Sequence, residues 1–236
     1  MFEAIRNKFQ FKFRDRIAAA NILAAALIDT ITKEELRNNA VSVLGIPRGG
    51  IVLADVIATK MKASHFDLVI SRKLTIPKND EAAFGAIMSD GTVYIDYRTV
   101  RDLDIPHEYI EKEKSRQLQE IERRHALYAL KKPQEAYVNM IDGQRPTTIT
   151  ILVDDGAASG ATMIAAARSV RKTIPQNSKL IIAVPVAPID TVNNLLTKEA
   201  DYVEVVTKPS IFSSVGQYYQ NFEPVNDEKV IEVIKK

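Results

Sequence analysis

Residues 148–162 read Thr-Ile-Thr-Ile-Leu-Val-Asp-Asp-Gly-Ala-Ala-Ser-Gly-Ala-Thr: an apolar run, two adjacent acids, a turn of small residues and a hydroxyl. The run Ile149 to Val153 shows no strict polar alternation, so the strand it predicts is covered on both faces, as happens in parallel sheets flanked by helices. Directly after the turn, Met163, Ala167, Val170 and Ile174 recur at helical spacing. A strand passing through a tight turn into a helix commits the chain to an α/β sheet that binds ligands at its carboxyl edge. Similar short apolar runs, Val41 to Leu44, Leu68 to Ile70, Leu180 to Val184 and Tyr202 to Val206, alternate with helical patterns such as Ile51 to Met61. The expected fold is therefore α/β: an open, mainly parallel twisted sheet flanked by helices. Asp90-Gly91, set between Ala86 to Met88 and Val93 to Ile95, adds a hairpin.

The turn carries the chemistry. Between Ala157 and Thr162 no side chain is bulky, so successive backbone N–H groups can converge on one anion, aided by the positive end of the following helix. Ser159 and Thr162 add hydroxyl donors. A plain capped turn would account for one hydroxyl and for Gly160, but not for Asp154 beside Asp155, which repel each other and an anion alike. The acids make sense if a divalent cation or the hydroxyls of a sugar lie between them and a phosphate. Other motifs are excluded by spacing. Ala161 stands where a Walker loop needs Lys, G-x-G-x-x-G is absent, and Ser159 lies in G-x-x-S-G rather than in a hydrolase elbow. His65, His107 and His125 show no metal-ligand or triad spacing.

A second strand–turn–helix, Val41 to Gly50, ends in Arg48-Gly49-Gly50, a cation with open backbone amides that suits a diphosphate. After Leu68 to Ile70 come Arg72 and Lys73, then a polar stretch from Thr75 to Glu81 with no apolar anchor, which describes a mobile cover for a polyphosphate. Phe212, Tyr218, Tyr219 and Phe222 cluster after the last strand; they suit either a pocket for a planar heterocycle or a small satellite core.

The segment ILVDDGAASGATM resembles the phosphoribosyl-pyrophosphate (PRPP) signature of the type I phosphoribosyltransferases. FRDR (Phe13 to Arg16), PRGG (Pro47 to Gly50), ISRKL (Ile70 to Leu74), EAAFGAI (Glu81 to Ile87) and GQYYQNF (Gly216 to Phe222) extend the likeness, over most of the chain, to a widespread group of predicted phosphoribosyltransferases. The resemblance implies that Asp154 and Asp155 hold the ribose diol, with Mg²⁺ carried by PRPP and touching the same acids. It implies that Gly156, Ala157, Ala158, Ser159, Gly160, Ala161 and Thr162 cradle the 5′-phosphate. Arg48, Gly49 and Gly50 would form the pyrophosphate loop, often of unusual peptide geometry, and Arg48, Arg72 and Lys73 would neutralise the leaving group during catalysis. Tyr218, Tyr219 and Phe222 fall in a C-terminal hood that would shape the acceptor pocket. Relatives acting on 6-oxopurines commonly carry Asp where this chain has Ala158, so a hypoxanthine or guanine acceptor is not expected. The implied activity is Mg²⁺-dependent transfer of a 5-phosphoribosyl group from PRPP to a nitrogen acceptor. The alternative is a protein that binds PRPP or a nucleotide only to regulate.

Composition sets the frame. In 236 residues, 32 Lys and Arg against 30 Asp and Glu leave +2, which argues against a general nucleic-acid or membrane binder. The lack of cysteine removes disulfides and thiolate chemistry. Basic residues precede Ile17 to Ile28, but Glu3, Asp15 and Asn21 make an amphipathic helix the better reading than a secretory signal, and twelve residues are too few to span a bilayer. A cytoplasmic protein is expected, a homodimer by resemblance, with 1–236 as a single domain. Within it lie a flexible loop and hairpin (72–96), a long charged helix (104–132, helical from about Pro106) and a hood or tail (207–236). On that helix Glu120 and Arg124 stand four apart, and Ile110, Gln117, Leu118, Ile121 and Tyr128 mark its buried side. Phe2, Phe9, Phe11 and Phe13 suggest an arm docked on the chain's own core or on a second subunit.

Overall fold

The computed structural model describes residues 12–38, 40–128 and 148–236. In chain order these form α1 (Arg16–Thr30), α2 (Lys33–Asn38), β1 (Ala40–Gly45), α3 (Gly49–Met61), β2 (His65–Leu68), β3 (Ser71–Ile76), β4 (Asn79–Met88) and β5 (Val93–Ile95). There follow α4 (Tyr97–Asp102), α5 (His107–Leu127), β6 (Thr148–Val153), α6 (Ala161–Thr173), β7 (Lys179–Val186), α7 (Ile189–Asn194), β8 (Tyr202–Thr207) and α8 (Asp227–Ile234).

Strands β2-β1-β6-β7-β8 form a five-stranded parallel sheet in that order, and β3-β4-β5 form a separate antiparallel sheet. Alternation still operates inside the doubly covered strands. Val41, Val43, Ile149, Ile151 and Val153 point to one face, where they meet Leu23 and Leu27 of α1 and Leu53 and Ile57 of α3. Leu44, Leu152, Ile182 and Val184 point to the other, against Met163, Ala166, Ala167 and Val170 of α6. Burying side chains on both faces at about 1.5–3 kcal/mol each makes this sheet the fixed platform of the molecule.

The ends of the helices are set locally. Asp15 caps α1, its carboxylate accepting from Ala18 N at 2.8 Å, so the charged residues before the apolar run begin a helix. No helix among the described residues is long and apolar enough to cross a membrane. Phe13 is 1% exposed within the chain's own core, whereas Phe2, Phe9 and Phe11 lie outside the described residues.

Two expectations change in the middle of the chain. The strand expected at Leu68 to Ile70 ends at Leu68, and the supposed loop from Thr75 to Glu81 is instead the turn of the β3–β4 hairpin, with Ile76 facing Asn79. Only Pro77 and Lys78 lie between the two strands. The hairpin at Asp90-Gly91 forms as expected, pairing Ala86 with Tyr94 and Ile87 with Val93, with Gly91 at φ +79°. Helix α5 covers the small sheet through Ile110 and Ile121, which meet Leu74, Phe84 and Ile87. It runs His107–Leu127, and residues 129–132 of the expected span lie outside the described residues. Arg124 Nε reaches Glu120 at 2.9 Å across one turn, but Glu113 and Arg124 join its buried side, which apolar spacing alone does not reveal.

Candidate functional site

Strand order reverses between β1 and β6: the chain leaves β1 towards β2 and leaves β6 towards β7 on the other side. At such a point the two following turns diverge and leave a crevice at the carboxyl ends of the strands. Here it is a cleft of about 360 Å³ bordered by Arg16, Arg48, Gly49, Lys73, residues 154–163, Val215 and Phe222 to Val225 without Glu223.

The β1 turn runs tightly along the end of β6. Ile46 N donates to Val153 O at 2.9 Å, the Pro47–Arg48 peptide is cis, and α3 begins at Gly49. A Cβ on Gly50 would lie 2.7 Å from Val153 O, and one on Gly49 would lie 1.8 Å from Asp155 Oδ2. Glycine is needed here for close approach, since a carboxylate occupies the space.

The acid pair is stiffened from three sides. Asp155 N donates to Asp154 Oδ1 at 2.8 Å, Arg16 Nε donates to Asp155 Oδ2 at 2.8 Å, and the Tyr219 hydroxyl donates to Asp155 O at 2.6 Å. Burial pushes both carboxyls above the ordinary carboxylate range. The rise is larger at Asp154, where the neighbouring Asp155 charge adds to burial and Lys73 opposes it; at Asp155 the Arg16 guanidinium works against burial.

The small-residue turn is divided in its duties. Ala157 N donates to Val186 O at 2.9 Å and Ala158 O accepts from Thr191 Oγ1 at 2.8 Å, which moor the turn to β7 and α7. Gly160 sits at φ +77° and starts α6. The amides of Ala158, Ser159, Gly160 and Thr162 make no hydrogen bond to the described residues, while Ala161 N lies 3.4 Å from Ser159 Oγ. Free amides at the first turn of a thirteen-residue helix form a ready anion cradle.

The remaining expected residues separate. Arg48 and Lys73 border the cleft; Arg48 also lies 3.9 Å from Asp227. Arg72 does not border it: strand alternation sends it to the opposite side, where its Nε donates to Gln117 Oε1 at 2.8 Å. Tyr218 and Tyr219 are 1% and 4% exposed and belong to the core beneath the hood, because their rings pack with Phe212 and Phe13 at 5.6 and 5.4 Å. Of that aromatic group only Phe222 borders the cleft, with the Arg16 guanidinium 3.9 Å above its ring.

Arg16 is the functional candidate that sequence reasoning missed. It stands at the first position of α1, is 11% exposed, and its Nη1 also donates to Glu223 O at 2.7 Å. The FRDR segment was its one sequence signal; nothing in it points to partners 139 and 207 residues away. The three histidines stay outside the cleft, and among the described residues no group of three or more His, Cys, Asp or Glu could hold a metal ion.

No protein-family model matches the chain. It is 33% identical over 219 residues, 93% of its length, to two Mycobacterium tuberculosis proteins from strains CDC 1551 and H37Rv, each named "Putative phosphoribosyl transferase". The chain spans 45% of the length of these curated relatives. The crystal structure of TT1426 from Thermus thermophilus is 34% identical, with a TM-score of 0.69, covering 95% of this chain and 98% of that one. Likeness of this extent joins the chain to the relatives named for phosphoribosyl transfer, and its parallel sheet carries the acid pair and the anion turn at the switch point.

Proposed function

We propose that the cleft binds PRPP and that the chain transfers its 5-phosphoribosyl group to a nitrogen acceptor. The observation that carries this reading is the set of groups that meet in one cleft: free amides at the start of α6, the carboxylates of Asp154 and Asp155, and the cations Arg48 and Lys73. A molecule with a phosphate, a diol and a diphosphate finds an attractive group there for each of its parts. In the transfer, the C1–O bond to diphosphate breaks as the C1–N bond forms on the opposite face. The electron pair leaves on the diphosphate, and the acceptor nitrogen releases its proton to solvent.

Each residue has a task in this reading. The amides of Ala158, Ser159, Gly160 and Thr162 hold the 5′-phosphate, and Asp154 and Asp155 orient the ribose hydroxyls. Lys73 and Arg48 offset the charge that develops on the departing diphosphate, acting mainly by electrostatic preorganisation. Arg72, turned away, does not take part directly. Two carboxylates are too few to cage a resident ion but fit a Mg²⁺ that arrives on the diphosphate, where it would neutralise charge on the leaving group. Hood residues Val215, Phe222, Pro224 and Val225 leave an apolar wall for the acceptor. Ala158 supplies no proton acceptor beside it, which disfavours hypoxanthine and guanine.

The test is diphosphate release from PRPP and Mg²⁺ against a panel of nucleobases and amines. Release should require one acceptor and should fail with hypoxanthine and guanine. A melting shift with PRPP and no turnover on any acceptor points to a regulator instead, and no shift with PRPP or any nucleotide removes the reading altogether.

A further inference from the structure

Tyr109, Glu113 and Gln117 stand four residues apart on α5 and form one stripe along it. All three reach strand β3. Gln117 Oε1 accepts from Arg72 Nε at 2.8 Å, Glu113 Oε1 accepts from Thr75 N at 3.3 Å and Thr75 Oγ1 at 3.0 Å, and the Tyr109 hydroxyl donates to Thr75 O at 3.0 Å. Within the helix, Gln117 Nε2 donates to Glu113 Oε1 at 2.8 Å, and Arg116 donates to both Glu113 oxygens at 2.8 and 2.9 Å. Glu113 and Gln117 are 3% and 2% exposed. Burial alone would raise the Glu113 pKa, but the bonds from Arg116, Gln117 and Thr75 outweigh it and hold the carboxyl below its ordinary value.

A buried charge is not what this contact needs for cohesion. Ile110 and Ile121 already pack on Leu74, Phe84 and Ile87, and a buried ionic network adds little stability over apolar packing. What polar bonds add is register. They grip β3 at Arg72 and at Thr75, on either side of Lys73, and the β3–β4 pairing is itself irregular between Leu74 and Thr75 and between Thr75 and Ile76. A slip of one residue would exchange the directions of Arg72 and Lys73, taking the ammonium out of the cleft.

We propose that Glu113 and Gln117 are positioning residues for Lys73: they lock β3 on α5 so that the Lys73 ammonium stays in the cleft. The proposal rests on the reading above only in the purpose it gives Lys73, contact with the diphosphate.

The test uses the full chain in four variants: Lys73→Ala, Glu113→Gln, the two combined, and Glu111→Gln as an exposed control on the same helix. Two quantities are measured: affinity for inorganic pyrophosphate with Mg²⁺, and the rate at which acetic anhydride labels Lys73 relative to the other lysines. Lys73→Ala is expected to weaken pyrophosphate binding about tenfold or more. Glu113→Gln should weaken it roughly three- to tenfold and alter Lys73 labelling, while the double variant falls no further than Lys73→Ala. Unchanged labelling in folded Glu113→Gln, or losses that simply add in the double variant, overturn the positioning role. Altered Lys73 labelling in Glu113→Gln, together with full pyrophosphate affinity in Lys73→Ala, keeps the positioning role and sinks the diphosphate reading of Lys73. Should Glu113→Gln fail to fold, Gln117→Met removes the bond from Arg72 Nε, and Lys73 labelling equal to wild type in that variant overturns the proposal.

Discussion

Gly49→Ala is the smallest substitution that the cleft should not accommodate. The new Cβ would lie 1.8 Å from Asp155 Oδ2, 2.5 Å from its Cγ and 3.1 Å from Arg16 Nε, far inside ordinary contact. The helix cannot retreat along β6, since Gly50 already sits where its own Cβ would be 2.7 Å from Val153 O. The Asp155 carboxylate must therefore swing aside, and that breaks its 2.8 Å bond from Arg16. The side chains are 16% and 11% exposed, so water replaces little of what is lost. A charge-assisted bond at such a place contributes about 1.5–3 kcal/mol. Better helix propensity of Ala returns part of it, under about 1 kcal/mol because Gly49 is the first helical residue. A net loss of about 1–2 kcal/mol in a chain of this size lowers the melting temperature by roughly 2–8 °C. Circular-dichroism melts at pH 7 measure it, with Arg16→Met as the reference: the double variant should melt close to Arg16→Met alone, because the same bond is lost once. A Gly49→Ala chain that melts at or above wild type, or a double variant that shows the summed losses, would refute the reasoning.

Asp154→Asn should melt higher than wild type at pH 7 and bind Mg²⁺-PRPP more weakly. The folded carboxyl has its pKa above the unfolded one, so the stability linked to it is fully present at low pH and is lost as pH rises towards the folded value; the two melts should converge near pH 4. Equal melting at pH 7 counts against the strained pair. Glu120 has the opposite sign: the hydrogen bond from Arg123, with Arg124 beside it, lowers its pKa to about 2, so its contribution is present above the ordinary value of 4.5 and fades as pH falls towards 2. Glu120→Gln should flatten that part of an acid melting profile, and an unchanged profile argues that the pair is idle in solution.

The parts of this fold that were legible in the sequence are those determined by local pattern. β1, β6 and β7 read as apolar runs because both their faces are covered, and the acid pair stands out because its members are neighbours in the chain. β3 reads in the sequence as a strand end and a loop because it carries Arg72, Lys73 and Thr75, and the partners of Arg72 and Thr75 lie on α5, 34 to 45 residues away. Composition drew Tyr218 and Tyr219 towards the pocket, but an aromatic cluster reads alike in a core and in a binding wall until its neighbours are known. Arg16 escaped for the same reason: a basic residue after a helix cap says nothing of a carboxylate on another strand.

The join between the first described residues and the hood has a consequence for the order in which the site is completed. Phe13 N donates to Tyr218 O, Gln220 N donates to Phe13 O, Asn221 N donates to Arg14 O, and Arg16 reaches Glu223 O. The sheet, the acid pair and the anion turn are all made earlier in synthesis, so a growing chain carries an open carboxyl edge until residues 218–223 leave the ribosome and close on a segment about 200 residues older. Until then Arg16 has no hood carbonyl, Asp155 lacks the Tyr219 hydroxyl, and the cleft lacks the wall that Phe222, Pro224 and Val225 supply.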